Sequence, residues 1–244
     1  MGIVIAVASG KGGTGKTSVT GGVAAALAMA GQRVLCIDMD IGLRNLDISL
    51  GLSDRALMDF ADVALGRCTL SRAAVRHPDL KELSLLTAPM SLPPSLSPYR
   101  VRSMLAAART LYDYLLIDAP AGLGPGFQYA VCGADRALVV ATNDASSLRD
   151  AQRVVAELDW LPQLHLVMNR IQPKLLRKLR TTIDDAMNTA GLPLIGVIPE
   201  DAQVMLCANR GIPLTSQGRK GAAMACRNIA WRLMGRRVPI MRIR

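Results

Sequence analysis

Residues 10–17 read Gly-Lys-Gly-Gly-Thr-Gly-Lys-Thr and closely follow an apolar, strand-like run. They match the G-x-x-x-x-G-K-[ST] pattern of a phosphate-binding loop, whose glycines let backbone N–H groups surround phosphate oxygens. In such a loop Lys16 reaches the β- and γ-phosphates and Thr17 coordinates Mg²⁺, while the next helix adds its positive end. The motif predicts a nucleoside triphosphate site formed by Gly10, Lys11, Gly12, Gly13, Thr14, Gly15, Lys16, Thr17 and Ser18.

Two further apolar runs end in acidic residues. Asp38 and Asp40 close the first run, and Asp118 closes the second. Strand carboxyl ends form the ligand-binding edge of an open α/β sheet, and an Asp there holds Mg²⁺ in phosphate-loop enzymes. Each Asp taken alone also suits a helix cap or a turn. Together with the loop they predict one nucleotide site, in which Gly122 gives a backbone N–H to the γ-phosphate.

Strand and helix patterns alternate along the chain, which is typical of βαβ units and of a doubly wound, mostly parallel sheet flanked by helices. We expect a single α/β domain over residues 1–244, with 238–244 as a short basic tail. The predicted strands are 2–8, 33–38, 83–87, 114–118, 137–142, 164–168 and 193–198. The predicted helices are 15–30, 98–112, 146–159, 174–189, 201–210 and 219–236.

The composition argues against several classes of function. Half of the residues are hydrophobic but only 3% are aromatic, which argues against a platform that stacks single-stranded nucleic acid. The five cysteines include no C-x-x-C pair, a spacing that favours reduced thiols in a cytosolic protein over a metal site. No apolar run reaches the roughly 18 residues that a membrane span requires.

The positive charge is concentrated at one end. Residues 170–244 hold 14 Lys and Arg against 4 Asp and Glu, whereas residues 1–169 balance. A basic end indicates an anionic surface, either lipid or nucleic acid, although general solubility charge is the other explanation. The candidates crowd the start of the predicted helix 174–189 and one face of the helix 219–236. They are Lys174, Arg177, Lys178, Lys220, Arg227 and Trp231.

The second lysine of the loop, Lys11, carries a family resemblance. The string Lys-Gly-Gly-x-Gly-Lys-Thr resembles the deviant Walker A motif of the MinD/ParA family of ATPases. Similar segments occur at 38–47 (Asp-Met-Asp-Ile-Gly-Leu-Arg-Asn-Leu-Asp), 118–122, 146–150, 168–170 and 197–201. The resemblance runs from residue 3 to about residue 240, and the 38–47 string places it nearest the division-site branch of the family.

This resemblance implies an ATPase that uses ATP and Mg²⁺ and dimerises when ATP is bound. It implies that Lys11 acts across the dimer, that Asp40 positions the attacking water, and that Asp38, Asp118 and Thr17 serve the metal. It also assigns a partner surface to Asp150. The base-recognition residues that it implies are Asn169, Arg170, Pro199 and Asp201.

The implied function is division-site placement through ATP-gated binding of a membrane and of division regulators, a MinC-like inhibitor and a MinE-like activator. We expect a cytoplasmic protein with ATP-dependent association with the inner face of the cell membrane. A DNA-binding, ParA-like partition ATPase and a flagellar-number ATPase are the alternatives. An iron–sulfur reductase with the same loop would need two cysteines near the family's switch segments, 38–47 and 118–122. It is disfavoured, because Cys132 is the only candidate there.

The C-terminal segment departs from the family pattern. Family members usually end in an amphipathic membrane helix, whereas residues 238–244 include Pro239 and are too short to form a stable helix. Either the sequence is truncated, or the basic end replaces that helix.

Overall fold

A computed structural model describes residues 1–241. Their strands form one eight-stranded sheet in the order β3-β4-β2-β5-β1-β6-β7-β8, and every neighbouring pair is parallel except β3 and β4. The strands are β1 (Ile3–Ala8), β2 (Val34–Asp38), β3 (Val75–Arg76), β4 (Leu83–Leu86), β5 (Tyr114–Asp118), β6 (Arg136–Ala141), β7 (Leu164–Ile171) and β8 (Leu194–Pro199).

Helices cover both faces of this sheet, so the predicted fold class is confirmed. They are α1 (Lys16–Met29), α2 (Asn45–Leu50), α3 (Phe60–Ala64), α4 (Leu70–Ala73), α5 (Pro98–Ala108), α6 (Pro125–Val131), α7 (Ala145–Glu157), α8 (Pro173–Leu179), α9 (Ile183–Ala190), α10 (Ala202–Asn209) and α11 (Gly221–Leu233). A 3₁₀ turn spans Leu214–Ser216.

Apart from their final aspartates, β2 and β5 are apolar because both faces of the central sheet are covered. Every residue of β2 and of β5 is buried, including their final aspartates. On one face Phe60 and Phe127 fill the core, and on the other face α1 packs close to α11. A Cβ on Gly22 of α1 would lie 2.8 Å from the Cys226 sulfur. The two helices therefore approach one another through small residues.

Every predicted strand is confirmed, with ends that differ by three residues at most. The predicted helix 174–189 is wrong, since Arg180 adopts a left-handed conformation with φ of 53° and separates α8 from α9. Thr182 then begins α9 with a capping box that it forms with Asp185. Local polar groups thus overrode the helical periodicity. The structure also adds elements too short to predict from periodicity, namely β3, α2, α3, α4 and α6.

The C-terminal segment follows α11 and lies near α8 and α9. The Arg232 guanidinium donates to the carbonyls of Val238 (2.9 Å) and Pro239 (2.6 Å), and also to that of Ile195 in the edge strand β8 (2.6 Å). Met241 and Ile240 line a groove with Ile183, Met187 and other apolar residues. Residues 242–244 of the predicted tail lie outside the described residues, and its assignment as a separate segment stays a prediction.

Two glycines that follow helices test how closely the chain packs. Gly51 and Gly191 have similar left-handed φ angles of 68° and 69°. A Cβ on Gly51 would collide with the Gly211 carbonyl, whereas a Cβ on Gly191 would meet no neighbouring atom. We expect Gly191→Ala to lower the free energy of unfolding by about 1 kcal/mol through the left-handed conformation alone. Gly51→Ala adds overpacking and should cost roughly 1–3 kcal/mol more. Urea unfolding of both variants measures the difference, and equal losses would contradict the packing at Gly51.

Candidate nucleotide-binding site

The phosphate-binding loop connects β1 to α1 at the carboxyl edge of the sheet. Gly13 and Gly15 have positive φ angles of 80° and 83°, as the loop's turn requires. Beside the loop lies a cavity of about 450 Å³ that is lined by residues of the loop, by Asp40 and by Asn45. The buried Thr14 hydroxyl has no hydrogen-bond partner within residues 1–241. An open cradle with an unpaired polar group suits a phosphate ligand.

The buried carboxylate of Asp118 lies behind the lining of this cavity and contacts Lys16 and Thr17, which belong to that lining. The Lys16 ammonium lies 3.2 Å from one carboxylate oxygen, and the Thr17 hydroxyl donates to the other at 2.6 Å. Thr20 adds a bond at 3.2 Å. The structure therefore brings Lys16, Thr17 and Asp118 together, as the sequence predicts. Thr20 was not predicted, although its spacing of three residues from Thr17 places it on the same side of α1.

Asp38 and Asp118 are register partners on β2 and β5. Burial, together with the neighbouring Asp118 charge, raises the pKa of Asp38 to about 7. Burial also raises the pKa of Asp118, against the lowering effect of Lys16. Carboxylate and hydroxyl oxygens from Asp38, Asp118 and Thr17 are the hard ligands that Mg²⁺ prefers, so the donor set fits this ion.

Gly122 differs from the expectation. Its backbone N–H donates to the carbonyl of Ser9 at 3.0 Å, so in this structure it is engaged within the protein and does not face a phosphate. Its φ of 76° is in the left-handed region, where glycine is favoured. The segment after β5 would have to turn before this amide could bind a γ-phosphate.

Lys11 points away from the floor of the cavity. Its ammonium lies 2.7 Å from the Asp144 carboxylate and 2.8 Å from the Ser146 hydroxyl, at the start of α7. Burial acts to raise the pKa of Asp144, but the bonds from Lys11, Thr142, Ser146 and Ser147 outweigh it and hold this pKa well below its usual range. Lys11, the second lysine of the loop, therefore forms an ion pair within its own chain.

A second cavity, of about 410 Å³, adjoins the loop and lies within the usual size range of small-molecule sites. It is lined by all four predicted base-recognition residues, Asn169, Arg170, Pro199 and Asp201. Asn169 donates to the Thr14 carbonyl at 2.7 Å. The apolar walls of this cavity come from residues of α10, of α11 and of the turn between them. The sequence analysis missed these residues because they are far from the phosphate-binding loop in sequence. These are Val204, Met205, Ala208, Leu214 and Cys226.

Asp150 lies beside the phosphate-binding loop. A Cβ on Gly10 would collide with the Asp150 backbone, which shows how closely α7 approaches the loop. The Asp150 side chain is 3.6 Å from Arg153, one helical turn further along α7. The predicted partner residue is thus held next to the nucleotide site.

The predicted anionic-surface residues do not form one surface. Leu176 of α8 packs against the core on one face of the sheet, whereas α11 packs against the core on the other. Arg177 and Lys178 lie in the last turn of α8. They therefore do not lie near the start of a long helix, where cations oppose the helix dipole, but near a helix C-terminus, where cations are favourable.

The candidate anionic-surface residues on and next to α11 lie in a different environment from those of α8. The Arg227 guanidinium donates to the Thr215 carbonyl at 2.5 Å, and Trp231 is half-buried. Lys220 is exposed and lies at the N-cap of the helix. Arg227 therefore has a structural partner, and Trp231 is partly withdrawn from solvent.

Comparison with known proteins identifies the family. A model of the CobQ/CobB/MinD/ParA nucleotide binding domain matches residues 5–214. The septum site-determining protein MinD of Bacillus subtilis is 37% identical over 98% of this chain and 92% of that protein. The chain belongs to the MinD family. The resemblance in the sequence is thereby confirmed, and the division-site branch is favoured over the partition and flagellar alternatives.

Solved MinD structures show the same fold. The MinC:MinD cell division protein complex of Aquifex aeolicus has a chain that is 36% identical, with a TM-score of 0.92 over 98% of both chains. MinD of Pyrococcus horikoshii, solved with Mg-ADP, is 28% identical, with a TM-score of 0.84 over 96% of both chains. Within residues 1–241, each helix is too short or too polar to span a lipid bilayer.

The Lys11–Asp144 pair predicts a pH dependence. Because its pKa is lowered in the folded state, Asp144 stabilises the fold above its unfolded pKa near 3.8, and this contribution is lost as the pH falls further. Lys11→Met should raise the pKa of Asp144 toward 3.8. The stability difference between variant and wild type should be largest near neutral pH and shrink below pH about 4.

Carboxyl NMR titration of Asp144 and urea unfolding between pH 3 and 7 measure both effects. Lys174→Met is the matched control, because Lys174 is exposed and forms no ion pair within the described residues. An unchanged pKa of Asp144 in Lys11→Met would show that Lys11 does not hold this carboxylate.

Proposed function

We propose that this chain is an ATP-dependent dimerising ATPase that acts as a switch in division-site placement. One observation carries the proposal: the loop has two lysines, and only Lys16 lies on the floor of its own phosphate cavity. Lys11 sits at the rim, where a second subunit could face it. A cation supplied only by dimerisation makes hydrolysis conditional on assembly, as a switch requires.

The contacts in the site support the following roles within one subunit. Lys16 neutralises the β- and γ-phosphates, and Thr17, Asp118 and Asp38 are the residues that would hold Mg²⁺ and its water ligands. When bound, this ion would neutralise negative charge on the phosphates. Asp40 lines the cavity and orients the attacking water, while Asn169 fixes an adenine in the second cavity.

The partner proteins that we propose are those suggested by the membership of this chain in the MinD family. The Aquifex aeolicus complex contains MinC, and we propose that a MinC-like inhibitor and a MinE-like activator bind this chain near α7. Asp150 belongs to that surface, since it adjoins the phosphate-binding loop. Partner binding at this position would respond to the nucleotide, because α7 also carries the acceptors of Lys11.

Lys11→Ala tests the switch. It should bind ATP with unchanged affinity but lose hydrolysis and the ATP-induced dimer, because the charge that crosses the interface is missing. Asp40→Ala should keep ATP binding and trap the dimer, because the attacking water is no longer oriented. Size-exclusion chromatography with a slowly hydrolysed ATP analogue and a phosphate-release assay measure both. Full turnover by an ATP-bound monomer would refute the proposal.

We further propose that the dimer binds the anionic inner face of the cell membrane through α8. Its cations Lys174, Arg177 and Lys178, with Arg180 after them, are exposed and form no ion pair in the described part of the chain. Each cation near such a surface contributes about 1 kcal/mol, so one subunit binds weakly and a dimer gains from two contacts.

Sedimentation with anionic liposomes tests this surface. Wild type should pellet with ATP at low salt, and Lys174→Glu/Lys178→Glu should lose most of this binding by charge reversal. The variant Arg227→Glu/Trp231→Ala changes the other face of the sheet and reports whether α11 contributes. Equal pelleting of all three proteins would contradict the assignment to α8, and ATP-dependent retention on DNA instead of lipid would favour a partition function.

A further inference from the structure

The segment 40–46, which carries Asp40, is fastened at both ends by one carboxylate. One oxygen of Asp38 accepts a hydrogen bond from the Asp40 amide at 2.9 Å, and its other oxygen accepts one from the Leu46 amide at 3.1 Å. Leu46 is fully buried in α2, which fixes the far end of the segment. Between these points the chain forms a loop whose tip, including Leu43, is exposed.

Arg44 ties the middle of this loop to a third element. Its Nε donates to the Ala88 carbonyl at 2.6 Å, just beyond the end of β4. The only neighbouring backbone bond to that element in the described structure joins the Gly42 amide to the Pro89 carbonyl at 3.3 Å. The Arg44 side chain therefore makes the shorter of the two links between the loop and the β4–α5 connection.

The Arg44 backbone is also unusual. Its φ of 48° and ψ of 51° are left-handed, a conformation that is unfavourable for residues with a Cβ and that asparagine tolerates better. It turns the chain sharply into α2. A residue held in such a conformation at a ligand site is a reason to look for a functional constraint.

The same turn reaches back to Asp40. The amides of Leu43 and Arg44 both point to the Asp40 carbonyl, at 3.3 and 3.4 Å. Asp40 is thus held through its amide by Asp38 and through its carbonyl by the turn that Arg44 anchors. These two backbone bonds are long, so the position of the turn depends on the side-chain link to Ala88.

We infer that Arg44 is a positioning residue, which holds Asp40 in the phosphate cavity by anchoring the loop to the end of β4. It acts through the backbone and does not touch the nucleotide. The β4–α5 connection thereby becomes a third support of the site, beside the two strands that carry Asp38 and Asp118. This inference rests on the proposed ATPase function, in which Asp40 orients water.

Two substitutions of Arg44 separate the effect of its hydrogen bond to Ala88 from the effect of its left-handed backbone conformation. Arg44→Lys can still donate to Ala88 and keeps the unfavourable backbone preference. Arg44→Asn suits the left-handed turn but is too short to reach Ala88. If the anchor matters, Arg44→Asn should lower kcat about 10- to 100-fold with an unchanged KM for ATP, whereas Arg44→Lys should stay within about threefold of wild type.

Hydrogen exchange of the amides of residues 40–46 in the nucleotide-free protein is the second measurement. Arg44→Asn should exchange at least about tenfold faster there than wild type, since the loop has lost its tie. Arg67→Asn is the matched control, because Arg67 pairs with Asp62 of α3 and not with the segment 40–46. It should leave kcat and exchange in this segment unchanged.

The outcomes are distinct. Wild-type kcat and unchanged exchange in Arg44→Asn would overturn the inference, as would a large rise in the KM for ATP, which would indicate nucleotide contact. If Arg44→Lys lost activity as fully as Arg44→Asn, the anchor would not be the cause. Absence of hydrolysis in wild type would refute the proposed function, while the exchange measurement would still decide whether Arg44 fastens the loop.

Discussion

A buried charge balance at the carboxyl edge of the sheet is the constraint on which the site depends. Asp118 is 1% exposed and Lys16 6%, and leaving either charge alone at that depth would cost several kcal/mol. The hydroxyls of Thr17 and Thr20 complete the set of donors around Asp118. A nucleotide that binds here must contact Lys16 with its phosphates. Binding therefore replaces the contact of Lys16 with Asp118 by contacts of Lys16 with phosphate.

Much of this architecture could be predicted, because it follows from local patterns. The phosphate-binding loop and the buried strands have strong signatures, and parallel strands necessarily bring Asp38 and Asp118 to the same edge. The walls of the base cavity could not be predicted, since Leu214 and Cys226 reach it only through the packing of α11 and its preceding turn. Short helices such as α2 were also missed, because six residues are too few for periodicity.

The basic end shows a different limit. Charge counts identify an excess but not its distribution in space, and α8 and α11 prove to lie over opposite faces of the sheet. The left-handed turn at Arg180 shortens α8 and places Arg177 and Lys178 where the dipole favours them. Thr182 and Asp185 form a capping box that begins α9, a local polar effect that the apolar periodicity on either side does not reveal.

The ion pair of Lys11 with Asp144 has a consequence for assembly. A dimer with twofold symmetry that uses Lys11 from both subunits must open this pair twice. The association constant then varies with the square of the opening equilibrium of one pair. A change of about tenfold in that equilibrium becomes about a hundredfold in the association constant. A single contact of 2.7 Å at the rim of the site therefore shifts the protein concentration at which the dimer forms.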